Sequence, residues 1–389
     1  MATETPDDPT TDDSKQSEYA VEVAGLRRVY DGDILAVDDI DFTISHGEFC
    51  VIIGPSGCGK TTTLHSIIGK VTPTAGEIYI DGEEVTDAPT HERDIGLVFQ
   101  DFQLFPHMSV EENVRYGLEQ TDQVDDQVVE EMLELMDLTE QRAQSTGELS
   151  AGQRQRVALA RSLVLQPDVL LLDEPLGDMD YKLQKRMEQE LLRIHREVQT
   201  TFVYVTHDQR QAMRMGDQVI VMNDGQIEQS GSAQAVYDTP ANAFVAAFVG
   251  DSNILDGTVV ETEGESVEIE TNLGRFRTTT EATPPEPGTT AYLVIRPHHL
   301  SIAADGATEP NSVGGTVRDV IEHPVAGTEV FVQTAEDDDE ELRAQIRNHH
   351  EGLSQGETLT LTWSEDDAHL LTELSVVSGV DLETDILGE

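Results

Sequence analysis

The pattern of hydrophobic and polar positions changes near residue 250. Between about residues 19 and 249, short apolar runs alternate with longer amphipathic stretches, which predicts strands alternating with helices in an α/β domain with a largely parallel sheet. The predicted strands are 49–53, 169–172, 202–205 and 219–222, and the predicted helices are 61–68, 128–136, 151–165 and 181–198. Asn223-Asp224-Gly225 predicts a hairpin turn ahead of residues 226–229.

Beyond residue 250, short β-branched stretches are separated by glycine, proline and acidic turns. They cover residues 258–262, 267–271, 291–295, 316–321, 330–333 and 358–363. This pattern predicts an all-β domain, a small barrel, over residues 251–389, after an α/β domain over residues 18–250. Residues 1–17 are rich in Asp, Thr and Pro, and we expect a disordered acidic tail rather than a signal peptide. No run of about 18 apolar residues predicts a membrane span.

Composition adds a strong charge bias. The chain has 24 Lys+Arg and 76 Asp+Glu, a formal net charge of −52, which argues against a broad basic surface for nucleic acid or anionic lipid. Only five of the basic residues are lysines: Lys15, Lys60, Lys70, Lys182 and Lys185. An acidic, lysine-poor surface is typical of proteins from multimolar salt, where the Debye length is about 3 Å or less. An acidic protein from ordinary salt is the alternative. Two cysteines are too few for a disulfide framework and fit a reduced, cytoplasmic protein.

The first chemical motif is a glycine-rich loop. Residues 54–61 read Gly-Pro-Ser-Gly-Cys-Gly-Lys-Thr and fit the pattern G-x-x-x-x-G-K-[ST] between a predicted strand and a predicted helix. Such a loop binds phosphate through backbone N–H groups, with Lys60 on the β- and γ-phosphates and the Thr61 hydroxyl on Mg²⁺. A glycine-rich turn without a ligand is the alternative, and Cys58 fits packing better than redox chemistry. The residues predicted to bind nucleotide here are Gly54, Pro55, Ser56, Gly57, Cys58, Gly59, Lys60, Thr61 and Thr62.

The second motif is a pair of carboxylates at the end of a predicted buried strand. Residues 168–175 read Asp-Val-Leu-Leu-Leu-Asp-Glu-Pro, and adjacent strand side chains point to opposite sides. Asp173 suits Mg²⁺ binding through water, and Glu174 suits a general base that polarises the attacking water. Alone, such a pair at the end of a strand is more often part of a solvated turn. Together with the phosphate loop, it predicts a nucleoside triphosphatase that uses Mg²⁺.

Residues 149–153, Leu-Ser-Ala-Gly-Gln, show a family resemblance. They resemble the L-S-G-G-Q signature of the ATP-binding subunits of ABC transporters, with Ala151 at the first glycine. The resemblance implies an α/β P-loop ATPase with a helical subdomain at about residues 101–165. It also implies that Ser150, Ala151, Gly152 and Gln153 bind the ATP held by a second subunit, in a head-to-tail homodimer with two ATP molecules. A plain amphipathic helix with a serine cap is the local alternative.

The resemblance extends to single residues. Gln100 looks like the Q-loop glutamine that contacts Mg²⁺, His207 like the switch histidine at the γ-phosphate, and Asp180 like the D-loop aspartate. Residues 176–179, Leu-Gly-Asp-Met, depart from the commoner L-S-x-L. Tyr30 stands where the family has an aromatic residue that stacks on adenine, although it could simply pack. Residues 101–108 resemble the surface that receives the membrane subunits. An equally weighted alternative is that their apolar side chains belong to the hydrophobic core.

The region after residue 250 resembles the transport-associated OB domain of importer ATPases. The family therefore implies the ATP-hydrolysing subunit of an ABC importer on the cytoplasmic face of the membrane, bound to permease subunits and served by an extracellular solute-binding protein. The overall pattern looks most like polyamine (spermidine/putrescine) importers; ferric iron, thiamine, molybdate, sugar and glycerol phosphate are alternative cargoes.

The pairs His298-His299 and His349-His350 fit surface positions better than metal sites. A soluble non-transport ABC ATPase and a small-molecule kinase are more distant alternatives, and the acidity argues against nucleic acid as a partner.

The charge leads to a prediction about solvent. If the acidic surface is adapted to high salt, both folding and ATPase activity should require it, because dilute buffer leaves the negative charges unscreened. We expect the melting temperature and the ATPase rate to fall together as salt is lowered from molar to millimolar concentration. Full activity and an unchanged melting temperature in dilute buffer would contradict the inference about salt and leave the ATPase prediction intact.

Overall fold

The computed structural model describes residues 17–120, 125–177, 179–280, 283–303, 311–323, 327–334, 341–346 and 353–377. The chain divides into two compact units. Unit 1 contains residues up to 34, 38–49 and 62–203, and unit 2 contains residues 35–37, 50–61 and those from 204 onward. The predicted tail (apart from Ser17), Asp178, His349 and His350 lie outside the described residues. The domain boundaries predicted from the sequence stay predictions.

The first 250 residues contain ten strands and eight α-helices among those the structure describes. The strands are β1 Tyr19–Tyr30, β2 Ile34–Ser45, β3 Phe49–Ile53, β4 Ala75–Ile80, β5 Glu83–Glu84, β6 Ile95–Val98, β7 Val169–Asp173, β8 Thr201–Val205, β9 Gln218–Asn223 and β10 Gln226–Gly231. The helices are α1 Lys60–Ile68, α2 Val110–Glu119, α3 Asp126–Leu135, α4 Ala151–Leu163, α5 Tyr181–Val198, α6 Gln209–Met215, α7 Ala233–Asp238 and α8 Ala243–Phe248. The four predicted strands and four predicted helices are confirmed, with ends that differ by at most two residues.

In unit 1, an antiparallel sheet has the strand order β2-β1-β4-β5, and β6 pairs in parallel with β7. The first four residues of β7, Val-Leu-Leu-Leu, are completely buried, as expected of a parallel strand that is covered on both faces. Helices α2, α3 and α4 fall within the stretch predicted as a helical subdomain. The amphipathic helix α5 buries Leu191 and Ile194.

In unit 2, Cys50–Ile53 of β3 pairs in parallel with Gln218–Val221 of β9, and β9 continues into the antiparallel strand β10. Asp224 and Gly225 connect β9 and β10 with φ of 44° and 85°. Two central residues with positive φ are the mark of a type I′ hairpin turn, so the turn predicted at this position is confirmed. No α-helix among the described residues is both long and apolar enough to cross a membrane.

Beyond residue 250, the described part of unit 2 contains strands and two short 3₁₀ turns but no α-helix, as predicted. Its strands are β11 Asn253–Glu263, β12 Ser266–Thr271, β13 Gly274–Thr279, β14 Thr290–Ile295, β15 Ser301–Ile302, β16 Asn311–His323, β17 Gly327–Gln333, β18 Glu341–Ile346, β19 Thr358–Trp363 and β20 Ala368–Leu371. They form two five-stranded sheets, β13-β12-β11-β14-β20 and β15-β19-β16-β17-β18. Buried residues of both sheets, including Phe276 and Trp363 with ring centroids 4.9 Å apart, share one core.

Candidate nucleotide site

The phosphate loop of unit 2 connects β3 to α1, and its glycines are required by close packing. A Cβ atom on Gly54 would lie 2.2 Å from the carbonyl oxygen of Met222. A Cβ atom on Gly59, whose φ is 101°, would lie 2.5 Å from the carbonyl oxygen of Ala36. Neither distance is possible for a real side chain, so only glycine lets the loop take this path. Ser56 and Gly57, at the tip of the loop, are exposed to solvent.

Lys60 places a cation inside this loop. The residue is only 6 % exposed, and Nζ donates hydrogen bonds of 2.7 Å to the carbonyl oxygens of Gly54 and Pro55. Cys58 Sγ lies 3.6 Å from the same nitrogen, and burial raises the pKa of this thiol above its ordinary value. Cys58 is therefore a protonated packing residue at neutral pH. Thr61 is exposed on the first turn of α1, and Thr62 is half-buried.

In unit 1, β7 ends at Asp173, whose carboxylate lies near the ring of His65 of α1. Burial raises the pKa of Asp173, while His65, with Nε2 3.9 Å from Asp173 Oδ2, acts in the opposite direction. Burial also lowers the pKa of His65, so its ring is largely neutral at pH 7. His65 lies one helical turn beyond Thr61.

Glu174 follows in a strained backbone conformation. Its φ of 44° lies in the left-handed region, which residues with a side chain rarely adopt. Its carbonyl oxygen accepts a hydrogen bond of 3.1 Å from Gly177 N. A Cβ atom on Gly177 would lie 3.6 Å from Gln100 Nε2 and 3.7 Å from Glu174 Oε2. The structure thus brings the Gln100 amide and the Glu174 carboxylate to the same glycine.

Arg161 and Asn113, which were not predicted from the sequence, hold the segment that follows Gln100. Phe102 and Gln103 have φ of 59° and 41°. Their carbonyl oxygens accept hydrogen bonds of 3.1 and 2.8 Å from Arg161 of α4, whose guanidinium stacks on Phe105. Asn113, fully buried on α2, closes the other side through hydrogen bonds with both the N–H and the carbonyl of Phe105. Arg161 thereby links the helix that begins at the signature to the Gln100 segment.

The signature residues of unit 1 begin helix α4. Ser150 is the N-cap: its Oγ accepts from Gln153 N at 3.3 Å, and Gln153 Oε1 accepts from Ser150 N at 2.9 Å. This reciprocal capping box fixes the first turn while Ser150 stays exposed. Gly152 leaves room for the side chains of α5, since a Cβ atom there would lie 3.1 Å from Met187 Sδ.

The other predicted site residues lie in local structures of their own. Asp180 is the N-cap of α5 and accepts 3.1 Å hydrogen bonds from the N–H groups of Lys182 and Leu183. In unit 2, His207 follows β8 and is exposed. Tyr30 ends β1, with the Arg28 guanidinium 4.6 Å from its ring centroid.

Each unit therefore holds part of the predicted site. Unit 1 contains Gln100, the signature residues, Asp173, Glu174 and Asp180, and unit 2 contains residues 54–61 and His207. The His298 and His299 rings lie 4.3 Å apart, and His299 Nδ1 is 2.9 Å from the carbonyl oxygen of Asp367. Among the described residues, no three His, Cys, Asp or Glu side chains form a group that could hold a metal ion on their own.

Comparison with known proteins identifies the family of this chain. A family model described as ABC transporter matches residues 37–177, and a TOBE domain model matches residues 293–371. The spermidine/putrescine import ATP-binding protein PotA of Thermobifida fusca is 40 % identical over 92 % of this chain and 95 % of its own length. PotA of Ruegeria pomeroyi is 41 % identical over 82 % of this chain and 86 % of its own.

A solved structure is also similar to this chain. CbiO1 of Clostridium perfringens, described as part of an ABC transporter complex, superposes with a TM-score of 0.53 at 28 % identity. The match covers 57 % of this chain and 92 % of CbiO1. With relatives of this identity aligned over almost their whole length, the chain belongs to the ATP-binding, ATP-hydrolysing proteins of the ABC transporter family.

Proposed function

We propose that this chain is the ATPase subunit of an importer for spermidine and putrescine, bound to membrane permeases at the cytoplasmic face. The observation that carries the proposal is the extent of the similarity to PotA proteins. Eight such relatives are 35–46 % identical, and the first covers both the ATPase domain and the all-β domain. Similarity that continues through the C-terminal domain supports a shared transport role better than a match to the ATPase domain alone.

Phosphate binding is assigned to the loop of residues 54–61. The buried Lys60 ammonium, now bound to two loop carbonyls, would exchange these for the β- and γ-phosphates, which form stronger charge-assisted hydrogen bonds. The N–H groups at the start of α1 add positive potential at the same position. We assign adenine stacking to Tyr30, on the ring face away from Arg28.

Hydrolysis is assigned to the carboxylates at the end of β7, with Asp173 as its last residue and Glu174 as the next. Glu174 would accept a proton from the attacking water, while Gln100 and His207 orient the water and the γ-phosphate. Thr61, Asp173 and Gln100 offer the hard oxygen donors that Mg²⁺ prefers. When bound, Mg²⁺ supplies charge neutralisation on the phosphate oxygens. The strained Glu174 backbone supports this role, because such strain is concentrated at functional sites.

A homodimer completes the proposed site. Ser150 is exposed, and its hydroxyl accepts from Gln153 N while its own proton stays available for a phosphate oxygen of a second subunit. The N–H groups of the first turn of α4 point in the same direction as this hydroxyl, as helix N-termini do at anion sites. Dimer closure on ATP would then change the positions of the Gln100 segment through Arg161, and a solute-binding protein would deliver cargo on the other side of the membrane.

Uptake measurements test the cargo. In cells whose copy of this gene is replaced by a Glu174→Gln version, we expect uptake of labelled spermidine and putrescine to fall to background. Uptake of thiamine, ferric iron and a sugar should stay at the wild-type level, since those cargoes would use other ATPases. Normal polyamine uptake combined with loss of one of the other cargoes would contradict the polyamine assignment and leave the ATPase assignment in place.

A further inference from the structure

A short C-terminal segment, residues 373–377, follows β20 and lies against helix α8. The carbonyl oxygen of Glu373 accepts a 3.0 Å hydrogen bond from Ala243 N, and that of Leu374 accepts a 2.8 Å bond from Phe244 N. These two N–H groups belong to the first turn of α8, where no partner exists within the helix. The segment is therefore docked by its backbone at a defined place in unit 2.

The same segment supplies half of the hydrogen bonds to a buried carboxylate, Glu228 of β10. Glu228 is 4 % exposed and accepts four hydrogen bonds from the described residues, all from uncharged groups. Its Oε1 accepts from Asn223 Nδ2 at 3.2 Å and from Ser375 Oγ. Its Oε2 accepts from Asn242 Nδ2 at 2.7 Å and from Val376 N at 2.8 Å. A carboxylate removed from water depends on such donors for its charged form.

Asn223 connects this carboxylate to the phosphate loop. It is the last residue of β9 and is 9 % exposed, and the hairpin turn begins immediately after it. At the turn, Gly225 N donates a 3.1 Å hydrogen bond to the carbonyl oxygen of Cys58 within the loop. The carbonyl of Met222, one residue before Asn223, fills the space beside Gly54. The β9–β10 hairpin is thus the platform on which the phosphate loop rests.

We propose that residues 373–377 act as a C-terminal latch that orders the phosphate loop through Glu228, which makes Glu228 a positioning residue for ATP binding. When the segment is undocked, Glu228 keeps only Asn223 and Asn242 as donors among these four. The half-satisfied carboxylate then moves toward water to replace the lost donors, and the β9–β10 hairpin loosens. Displacement of the segment is therefore a means to lower ATP affinity without touching any residue that contacts ATP. The inference rests on one part of the proposed function, namely that the loop of residues 54–61 binds ATP.

The test compares chains of different length. We expect a chain ending at residue 372 to bind ATP roughly tenfold more weakly, and Ser375→Ala about fivefold more weakly, than the full chain. A chain ending at residue 377 keeps the latch and should bind like the full chain. Ser364→Ala is the matched point control, since Ser364 Oγ donates at 2.6 Å to the exposed Asp367 carboxylate, away from Glu228. Binding is measured as the dissociation constant for ATP, and turnover as kcat and KM.

The pattern of the constants separates positioning from loss of fold. A positioning role raises the KM for ATP while kcat stays within about twofold, whereas partial unfolding lowers kcat through the active fraction and leaves KM unchanged. Glu228→Gln should raise the KM for ATP in the full-length protein. In the protein ending at residue 372 it should raise KM little further, because both changes interrupt the same series of contacts. If the shortened chain does not fold, Ser375→Ala and Glu228→Gln still give the result.

Two outcomes would overturn the proposal. One is an unchanged dissociation constant in Ser375→Ala and in the chain ending at residue 372. The other is full additivity of Glu228→Gln with the truncation. Either result would disprove the proposed latch and would not affect the ATPase assignment. A full-length protein that binds no ATP at all would instead contradict the assignment of the phosphate loop.

Discussion

Replacing Glu174 with glutamine is expected to lower ATP turnover by about 10²–10⁴-fold, the range typical of general acid–base catalysis, while ATP affinity changes little. Glutamine has nearly the same size and fits the same backbone, but its amide cannot accept the proton of the attacking water at neutral pH. Because hydrolysis stops while binding continues, ATP-bound dimers should accumulate. The neighbouring Gln100 amide, which approaches the same glycine as Glu174, provides no substitute base.

Steady-state ATPase rates, the dissociation constant for ATP and the mass of the ATP-bound species check this expectation. Glu119→Gln is the matched control, since Glu119 is an exposed carboxylate at the end of α2 and carries no role in the proposed mechanism. A Glu174→Gln variant that hydrolyses ATP at the wild-type rate would show that another group activates the water. Equal loss of ATP binding and turnover would instead indicate a structural role for this residue.

The sequence was sufficient for the elements whose pattern is regular. Buried strands such as β3, β7 and β8 are almost entirely apolar runs, and α5 has a regular amphipathic repeat over 18 residues. The twelve-residue strands β1 and β2 were not predicted. In β1 the alternation of buried and exposed positions breaks at a bulge between Ala24 and Arg27, where Gly25 has a φ of 58°. A bulge shifts every later side chain to the other face, which hides a strand from a search for period two.

The candidate site shows the same distinction. Residues such as Lys60 and Glu174 could be predicted because phosphate chemistry demands those residue types at fixed spacings. Arg161, Asn113 and Glu228 could not, because most of their partners are backbone groups or residues far along the chain. Arg161 binds carbonyls 58 and 59 residues away, and Glu228 meets Ser375 at a separation of 147 residues. A backbone carbonyl has no residue type, so such contacts leave no pattern in the sequence.

The second large effect is expected at Lys60, for a reason that the structure adds to the motif. The ammonium already lies within the loop, bound to the carbonyls of Gly54 and Pro55, so ATP meets a cation that is held in place before binding. Exchanging these neutral acceptors for two phosphate groups gives the cation anionic partners, which adds a charge–charge attraction to each hydrogen bond. Because the residue is 6 % exposed, little water screens the resulting attraction.

Lys60→Met keeps the length of the side chain and removes its charge, and we expect ATP affinity to fall roughly 10²–10⁴-fold, corresponding to two lost charge-assisted hydrogen bonds. Turnover at saturating ATP should fall as well, since the same cation stabilises the charge that develops on the transferred phosphoryl group. Lys185→Met removes an exposed lysine that lies over the Tyr181 ring and should leave the dissociation constant unchanged. Titration with ATP checks both variants, with the melting temperature measured in parallel to establish that each is folded. Wild-type affinity in a folded Lys60→Met variant would mean that the backbone N–H groups alone hold the phosphates, and the buried ammonium would then be a structural support for the loop rather than part of the binding site.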